Sequence, residues 1–374
     1  MCGINGFSLS DTSLIKEMNK QLRHRGPNQS GIYQDDDCTL GHRRLSILDL
    51  STKGKQPMVR DGLVIVFNGE IYNFKQLRKE LPYAYSSDTD TEVLLYAYKK
   101  WGTKCLEKLN GMFALCIYDT INKTLFLARD RMGIKPLVYH HGEHFIFSSE
   151  IKALLAHSIN TSIHKQTLNR YVHRRYCYGN QTIFSSIKRL PAGCYALYDL
   201  AKNSLKIHRY WDISMSNKQS DPAQLYQLLL KAVERRLISD VPLGLFLSGG
   251  LDSSTLAALM RRIDPDSSIS THSISFESGG PYNEDKYAKQ VAQHCQTDHH
   301  EHHIEADCIK QLKTITRAMD EPMADPALFP LHKLSQSASK DITVVLTGDG
   351  ADELYAGYDQ YRLLQKANRI KWMP

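Results

Sequence analysis

The stretch "LFLSGGLDSSTLAALM", residues 245–260, narrows the available folds more than any other part of this sequence. A hydrophobic strand is predicted to end at Leu247, a tight turn follows at Ser248-Gly249-Gly250, and a helix begins near Asp252. Two glycines let the backbone adopt positive φ and approach a ligand closely, and the helix N-terminus offers unpaired N–H groups to an anion. A strand that leads directly into a helix predicts a parallel, doubly wound sheet with an anion site at its edge.

A second loop carries the charge that such a site needs. In "VVLTGDGADELYAGYDQY" a buried strand is predicted to end at Thr347, and Asp349, Asp352 and Glu353 follow within a few positions among glycines. The carboxyl ends of parallel strands share one edge, so we expect this loop to face the first one. Carboxylates beside phosphates require a cation between them, and Mg²⁺ fits that role. A solvated acidic turn is the plainer alternative.

The two halves of the chain differ in texture. Before residue 213, short β-rich segments such as "GLVIVFNGE" and "MFALCIYD" alternate with turns, and "DTEVLLYAYKKWG" has helical spacing and ends in glycine. This predicts an α+β domain of antiparallel sheets with helices over residues 2–212. A polar linker is expected over 213–223, and an α/β parallel-sheet domain over 224–374.

Composition excludes several classes of function. The 47 basic and 40 acidic residues give a net charge of +7, scattered along the chain, which favours small anionic ligands over nucleic acid. The longest apolar runs are far too short to span a membrane, and no apolar signal segment precedes residue 2. We therefore expect a cytoplasmic protein with no nucleic-acid or membrane partner.

Cys2, in the opening "MCGINGF", has two interpretations. Most cysteines are inert packing residues. If Met1 is removed, however, Cys2 carries a thiol and a free α-amine, whose ordinary pKa of about 7.7–8.0 suits it to accept the thiol proton. Arg44 could bind an α-carboxylate, the Asn68-Gly69 pair could form an oxyanion hole, and Asp90 could hold an α-ammonium group. These groups together complement glutamine.

Short motifs in order support that interpretation. The opening C-G-I, "RHRGPN", "RLSILD", "NGEIYN", "SDTDTE" and "ARDRMGIKPL" resemble the class II glutamine amidotransferases, which have an N-terminal-nucleophile hydrolase fold. The string "SGGLDSS" resembles the pyrophosphate loop of the N-type ATP pyrophosphatases. With "TGDGADE", the order resembles that of glutamine-hydrolysing asparagine synthetase over nearly the whole chain.

The resemblance implies a role for each matching position. It implies Cys2 as nucleophile, with Asn68 and Gly69 assisting catalysis and Asp349 as the acidic residue important in the synthetase site. The glutamine contacts that it implies are Arg44, Leu45, Ser46, Ile47, Leu48, Asn68, Gly69, Glu70 and Asp90. The implied ATP and pyrophosphate contacts are Leu247, Ser248, Gly249, Gly250, Asp252, Ser253, Ser254, Phe276, Thr347 and Gly348. Asp252 and Asp352 are the candidate Mg²⁺ ligands.

The family resemblance also implies a reaction and leaves its acceptor open. Glutamine would supply ammonia to a carboxylate adenylated by ATP, with aspartate the first expectation for that acceptor, and a homodimer is among the partner expectations. Two departures keep alternatives open. The family's synthetase domain usually continues beyond Pro374, and "DEPMADPALFP" (Asp320 to Pro330) stands where other members carry an aspartate-contacting segment. The alternatives are amidation of another acid, such as a sugar uronate, and a shortened protein that is only a glutaminase or a non-catalytic partner.

The histidine-rich run "HCQTDHHEHHIEAD" suggests a metal site at first sight. It follows a predicted helix and enters a predicted strand. Side chains alternate between the two faces of a strand, so adjacent histidines should diverge. We therefore expect this run to belong to the sheet and not to a metal centre.

Overall fold

The computed structural model describes residues 1–215, 221–276, 284–304 and 308–369. The chain divides into two compact units. The first comprises Met1–Gln219 with Leu312–Pro326, and the second comprises Ser220–Gln311 with Ala327–Pro374. The predicted boundaries put residues 312–326 in the second domain, whereas their contacts group them with the first unit.

The first unit contains two six-stranded sheets whose strand pairs are all antiparallel. The strands are β1 (Gly3–Phe7), β2 (Gln29–Gln34), β3 (Thr39–Arg44), β4 (Met58–Arg60), β5 (Leu63–Ile71), β6 (Gly111–Asp119), β7 (Thr124–Arg129), β8 (Val138–His141), β9 (Phe145–Ser148), β10 (Ile187–Arg189), β11 (Cys194–Asp199) and β12 (Ser204–Arg209). One sheet has the order β10-β8-β9-β1-β3-β2, and the other has the order β12-β11-β7-β6-β5-β4.

Six α-helices and two short 3₁₀ helices accompany these sheets in the described part of the first unit. The α-helices are α1 (Thr12–Gln21), α2 (Phe74–Glu80), α3 (Asp90–Trp101), α4 (Cys105–Lys108), α5 (Ile151–Leu154) and α6 (Lys165–Arg174), and the 3₁₀ helices are Thr52–Gly54 and Gly102–Lys104. Helix α3 begins where the Thr89 hydroxyl accepts a hydrogen bond from the Glu92 N–H, and it ends at Gly102, whose φ is 56°. The predicted helix ending in glycine is therefore confirmed.

The two antiparallel sheets share one hydrophobic core. Side chains from both sheets, among them Ile4, Val66, Tyr118 and Phe147, are fully buried in a single cluster. The outer face of the first sheet, which includes Phe7, packs against α1 and α5 in a second cluster. Strand β1 thus contributes Ile4 to the shared core and Phe7 to the outer face, and the predicted domain of antiparallel sheets with helices is confirmed.

The second unit contains a four-stranded parallel sheet of order β15-β14-β13-β16. Its strands are β13 (Leu243–Phe246), β14 (Ser270–Phe276), β15 (Asp298–Ile304) and β16 (Val344–Leu346). Its helices are α7 (Pro222–Arg236), α8 (Leu251–Ile263), α9 (Asp285–His294), α11 (Leu328–Ala338), α12 (Ala351–Tyr355) and α13 (Asp359–Arg369), and α10 (Cys308–Ala318) contains the point at which the chain passes to the first unit. The predicted alternation of strands and helices around a parallel sheet is confirmed.

The lengths and hydropathies of the helices test the expectation that no segment spans a membrane. Among the described residues, no helix combines the length and the apolar character that crossing a bilayer requires.

Phe147 offers a test of the shared core. Its side chain is fully buried, and a Cβ added at Gly6 would lie 2.7 Å from its ring. Phe147→Ala should lower the free energy of unfolding of the first unit by about 3–5 kcal/mol, because a cavity replaces the ring. Ile121→Ala is the control, since Ile121 is 78% exposed, and should change it by less than about 0.5 kcal/mol. Urea unfolding followed by circular dichroism measures both, and equal losses would contradict the shared core.

Candidate active sites

Cys2 lies immediately before β1, the strand between β9 and β3 in its sheet. Its thiol donates to the Leu45 carbonyl oxygen at 3.6 Å, and its sulfur accepts from the Leu45 N–H at 3.4 Å. Burial raises the pKa of the thiol above its ordinary value. The partly buried thiol therefore sits in a defined position and is protonated at neutral pH.

A small cavity of about 30 Å³ opens beside the thiol. It brings together most of the positions predicted to contact glutamine, and the members that line it are Cys2, Arg44, Leu45, Ile47, Leu48, Gly69, Glu70 and Asp90. Gln56, Phe67 and Thr89, which the sequence motifs did not single out, also line it. Ser46 and Asn68 are not among its lining residues, and the glutamine roles of all these positions stay predictions.

The "RLSIL" segment, residues 44–48, leaves the sheet after its first residue. Strand β3 ends at Arg44, and residues 45–48 form a loop. The buried Arg44 guanidinium donates to the carbonyl oxygens of Ser51 (2.9 Å), Leu48 (3.0 Å) and Asp49 (2.6 Å). These bonds bend the chain around the Arg44 side chain. Asp49 completes the bend with a φ of 53°. Because these main-chain acceptors and Gln29 occupy its terminal N–H groups, Arg44 shapes the loop in this structure.

Asn68 and Gly69 lie near the end of β5, opposite Ala114 and Phe113 of β6. The Asn68 side chain is 1% exposed, and its amide nitrogen has no hydrogen-bond partner in the described part of the chain. A buried donor without a partner is costly, and substrate is one way to satisfy it. Gly69 cannot be replaced here, because a Cβ would lie 2.2 Å from the Met112 carbonyl oxygen. This pair has the chemistry of an oxyanion hole.

Asp90 is a buried carboxylate at the start of α3. It accepts a hydrogen bond from the Ile71 N–H at 2.8 Å. Burial raises its pKa to about 6, while the hydrogen bonds and Arg44 act in the opposite direction. The carboxylate is thus ionised at neutral pH, as an α-ammonium partner requires.

The chain start lies among cationic groups that the sequence motifs left without a role. The Arg25 Nε donates to the Cys2 carbonyl oxygen at 2.8 Å, and Lys135 is 6% exposed. Burial lowers the pKa of the Met1 α-amine to about 6, with Arg25 and Lys135 acting in the same direction. Both residues lie within quoted motifs, "RHRGPN" and "ARDRMGIKPL", which were the signal available to find them.

The second unit holds a larger cavity, of about 490 Å³, at the carboxyl edge of its sheet. Both predicted loops line it, and an added Cβ at Gly348 would lie 3.1 Å from the Asp252 Cβ. The expectation that the two loops face each other is confirmed. The predicted positions that line the cavity are Leu247, Ser248, Gly250, Asp252, Ser253, Phe276, Thr347, Gly348, Asp349 and Asp352.

Hydrogen bonds within the first loop hold its shape. Ser253 Oγ accepts from the Ser248 N–H at 3.2 Å, and Ser248 Oγ accepts from the Gly250 N–H at 3.2 Å. Gly250 precedes α8 without a side-chain cap, so the first N–H groups of that 13-residue helix face the cavity end of the loop. This edge is suited to an anion.

Two predicted members of the loop are placed differently. Gly249, at φ +85°, packs against α9, where an added Cβ would lie 2.5 Å from the Ala288 nitrogen. Ser254 lines a separate cavity of about 380 Å³ with residues of α8 and α9, and its buried hydroxyl oxygen has no partner among the described residues. Gly249 therefore acts through its backbone shape, and ligand contact by Ser254 stays a prediction.

The acidic residues of the large cavity suit a hard cation. Asp252, Asp349, Asp352 and Glu353 all line it, and the Asp349 carboxylate accepts a hydrogen bond from the Thr347 hydroxyl at 2.8 Å. Over the described residues, no cluster of three or more metal-ligating side chains is formed. Mg²⁺ commonly takes one or two carboxylates together with substrate phosphates, so the donor set fits a cation that binds with a nucleotide.

Strand β15 contains residues 298–304 of the histidine-rich run, His294 ends α9, and residues 305–307 lie outside the described part of the chain. Neighbouring histidines of the strand alternate between its faces, as predicted. His300 and His302 share a face with His272 of β14, whose Nδ1 lies 3.0 Å from the His302 Nε2. His299 faces the other way and contacts the Thr271 hydroxyl at 2.9 Å. Burial lowers the pKa of His272 to about 4 and acts in the same direction on His302, so this stacked pair is neutral at neutral pH.

Two family models match the chain. One is described as a glutamine amidotransferase domain and matches residues 1–211, and the other is described as asparagine synthase and matches residues 224–374.

Curated relatives match over nearly the whole chain. A Methanocaldococcus jannaschii protein whose name assigns it to the glutamine-hydrolysing asparagine synthetases is 39% identical over 96% of this chain and 76% of its own length. Asparagine synthetase 1 of Bacillus subtilis is 34% identical over 97% of this chain and 60% of its own. Asparagine synthetase B of Escherichia coli is 33% identical over 99% and 67%. All three are similar to both halves of the chain.

Gly249 provides a test of the anion edge, with inorganic pyrophosphate as the probe. Gly249→Ala should abolish a pyrophosphate-induced rise in melting temperature, because its Cβ would collide with α9 and shift the loop. Gly102→Ala is the matched control, since Gly102 also has positive φ (+56°) but nothing lies within 4 Å of its Cβ position. That variant should keep the rise seen in the unmodified protein. Equal responses in both variants would contradict an anion site at this loop.

Proposed function

The chain belongs to the family of glutamine-hydrolysing asparagine synthetases, and from that premise we propose that it transfers ammonia from glutamine to an adenylated carboxylate. The observation that carries the proposal is the buried amide nitrogen of Asn68, which has no partner among the described residues and lies in the strand that borders the Cys2 cavity. The chain spans between three-fifths and three-quarters of the length of the Bacillus subtilis and Methanocaldococcus jannaschii relatives. The activity, substrates and partners of the whole protein are therefore part of this proposal.

In the first half reaction, the Cys2 sulfur attacks the side-chain amide carbon of glutamine. The thiol proton passes to the α-amine that removal of Met1 would expose on Cys2, and from there to the departing ammonia. Asn68 and the Gly69 N–H stabilise the negative charge that develops on the amide oxygen. Water then cleaves the thioester, which releases glutamate and restores the thiol.

Burial at the start of the chain supports that base, because it lowers the pKa of the Met1 α-amine to about 6, and the same desolvation would favour the unprotonated form of an α-amine on Cys2. The Asp90 carboxylate and the loop shaped by Arg44 offer partners to the α-ammonium and α-carboxylate of the substrate. These partners would orient glutamine relative to the thiol.

In the second half reaction, the acceptor carboxylate attacks the α-phosphorus of ATP and displaces pyrophosphate. Ammonia then attacks the acyl carbon and displaces AMP, which leaves an amide. The Ser248–Ser253 loop and the first turn of α8 would hold the phosphates. Asp252 and Asp352 would hold Mg²⁺, which neutralises phosphate charge when bound.

Aspartate is the proposed acceptor, because the named relatives are asparagine synthetases. The product would then be asparagine, formed with AMP, pyrophosphate and glutamate. A sugar uronate or another acid is the second candidate, and the observation that favours it is the distinct segment "DEPMADPALFP". Incubation of the protein with glutamine, ATP, Mg²⁺ and either acid, with amide formation followed by mass spectrometry, separates the two.

Cys2→Ala should abolish glutamine-dependent amide formation by at least about 1000-fold, because the nucleophile is lost. Synthesis from ammonium chloride should persist, because the second half reaction does not need the thiol. Cys177→Ala is the matched control, as a second partly buried free thiol of the first unit, and should keep both activities. Glutamate release and amide formation are measured in parallel. Retained use of glutamine by the Cys2 variant would refute the assignment.

Asp349→Ala and Asp252→Ala should each reduce conversion of ATP to AMP by at least about 100-fold, since both carboxylates line the cavity proposed for ATP. Glutamine hydrolysis should stay within twofold of the unmodified protein. Asp359→Ala removes a carboxylate of the same unit that does not line that cavity, and should leave AMP formation unchanged. Loss of both activities in the first two variants would indicate misfolding and contradict the proposed role.

A further inference from the structure

The segment Leu312–Pro326 packs within the first unit, although the residues before and after it in the chain belong to the second. Two adjacent carboxylates hold it there. Asp320 bonds to the start of α5, and Glu321 accepts from the Ile183 N–H at 2.6 Å and pairs with Arg189. The segment is therefore attached to the first unit at two separate points.

The Asp320 attachment has both main-chain and ionic parts. Its carboxylate accepts from the N–H groups of Ile151 and Lys152, and it pairs with the Lys152 Nζ at 3.3 Å. Lys152 Nζ also donates to the Ala318 carbonyl oxygen at 2.9 Å. Asp320 and Lys152 side chains are each only 21% exposed, so this pair is held away from most of the solvent.

A continuous line of charges leads from Lys152 to the nucleophile. Lys152 Nζ lies 3.0 Å from Glu150 Oε2, and Glu150 Oε1 accepts from Arg25 at 2.7 Å. Arg25 in turn donates through Nε to the main-chain carbonyl oxygen of Cys2 at 2.8 Å. His24 adds a contact to Glu150 at 3.0 Å. Asp320 is thus linked to the main chain of Cys2 through alternating negative and positive groups.

The charged groups along this line are held in place by their partners. Burial acts to raise the pKa of Glu150, but the hydrogen bonds from His24 and Arg25 outweigh it and lower that pKa to about 2. Burial acts to lower the pKa of Lys152, and Asp320 and Glu150 together raise it. Glu150 and Lys152 consequently stay charged at neutral pH.

The main chain transmits the same constraint. Ser149, next to Glu150, exchanges hydrogen bonds with Ile4, because its N–H donates to the Ile4 carbonyl oxygen at 2.9 Å and its hydroxyl accepts from the Ile4 N–H at 3.0 Å. Ile4 lies two residues after Cys2 in β1. A shift at Glu150 or Ile151 therefore reaches the nucleophile by two routes.

We propose that Asp320 is a positioning residue for the reaction at Cys2, acting through Lys152, Glu150 and Arg25 to hold the thiol against its substrate. The proposal rests on the glutamine hydrolysis proposed above. Misplacement of a nucleophile by about 1 Å can cost about 100-fold in rate. Loss of the Asp320 contacts should therefore lower kcat more than it weakens substrate binding. The Arg189–Glu321 attachment holds the same segment without joining this line of charges, and so provides a matched comparison.

The experiment compares Asp320→Asn with Arg189→Gln in the full chain. Asp320→Asn keeps one of the two oxygens that accept from main-chain N–H groups and removes the charge that pairs with Lys152. We expect kcat for glutamine hydrolysis to fall about 10-fold with KM within twofold. Arg189→Gln should leave kcat and KM within twofold. We expect the two variants to lower the melting temperature by similar amounts. Equal kcat values in the two variants would overturn the proposal.

A double-mutant cycle and a labelling rate separate positioning of the thiol from a general loss of stability. Lys152→Met should lower kcat as Asp320→Asn does, and the double variant should be no slower than either, because the two residues act in one line. Additive losses would overturn the proposal.

If the unmodified protein releases no glutamate, the proposed glutaminase fails, and alkylation of Cys2 by iodoacetamide decides the positioning role separately. A change of at least about threefold in the alkylation rate of Cys2 in Asp320→Asn, but not in Arg189→Gln, supports the positioning role. Identical alkylation rates in the two variants overturn it.

Discussion

The burial of β1 in the middle of its sheet is the constraint on which the first site depends. All five residues Gly3–Phe7 are buried, and the strand pairs with β3 on one side and β9 on the other. Such a strand cannot slip by one residue, because every core side chain would then point to the wrong face. Cys2, which directly precedes it, is therefore held at the rim of the sandwich with little freedom. The loop after β3 and the end of β5 approach that same point.

The second site depends on a different constraint, the shared edge of parallel strands. β13 lies between β14 and β16, so the loops after β13 and β16 are brought together whatever their side chains. Close packing then shapes the edge, as at Gly249, whose position against α9 leaves no room for a Cβ. The first site is thus a narrow cavity of about 30 Å³ and the second an open one of about 490 Å³.

Local patterns predicted the elements well, because period and turn chemistry are properties of neighbouring residues. The helix ending at Gly102 and the turn at Ser248–Gly250 are examples. The hydrogen bonds of individual side chains, whether close in sequence or far apart, cannot be predicted from such patterns. The bend after Arg44 arises from three carbonyl oxygens that converge on one guanidinium, and the grouping of residues 312–326 with the first unit depends on partners more than 130 positions away. No periodicity carries such information.

The nucleophile of the first site has two electrostatic requirements that conflict in water. It must be unreactive in the absence of substrate, and the charge that forms during the reaction must be stabilised. Burial raises the pKa of the Cys2 thiol above its usual 9.0 and lowers that of the Met1 α-amine to about 6. Both shifts favour the neutral thiol and the neutral amine over the ion pair that proton transfer would create. The thiol therefore stays protonated and unreactive until substrate arrives. In the proposed reaction, the Asn68 amide nitrogen, which has no partner in the described part of the chain, would stabilise the oxyanion and not the free thiolate. That stabilisation would come only as the sulfur–carbon bond forms. A site built this way withholds its nucleophile from other electrophiles and directs its stabilisation to the transition state.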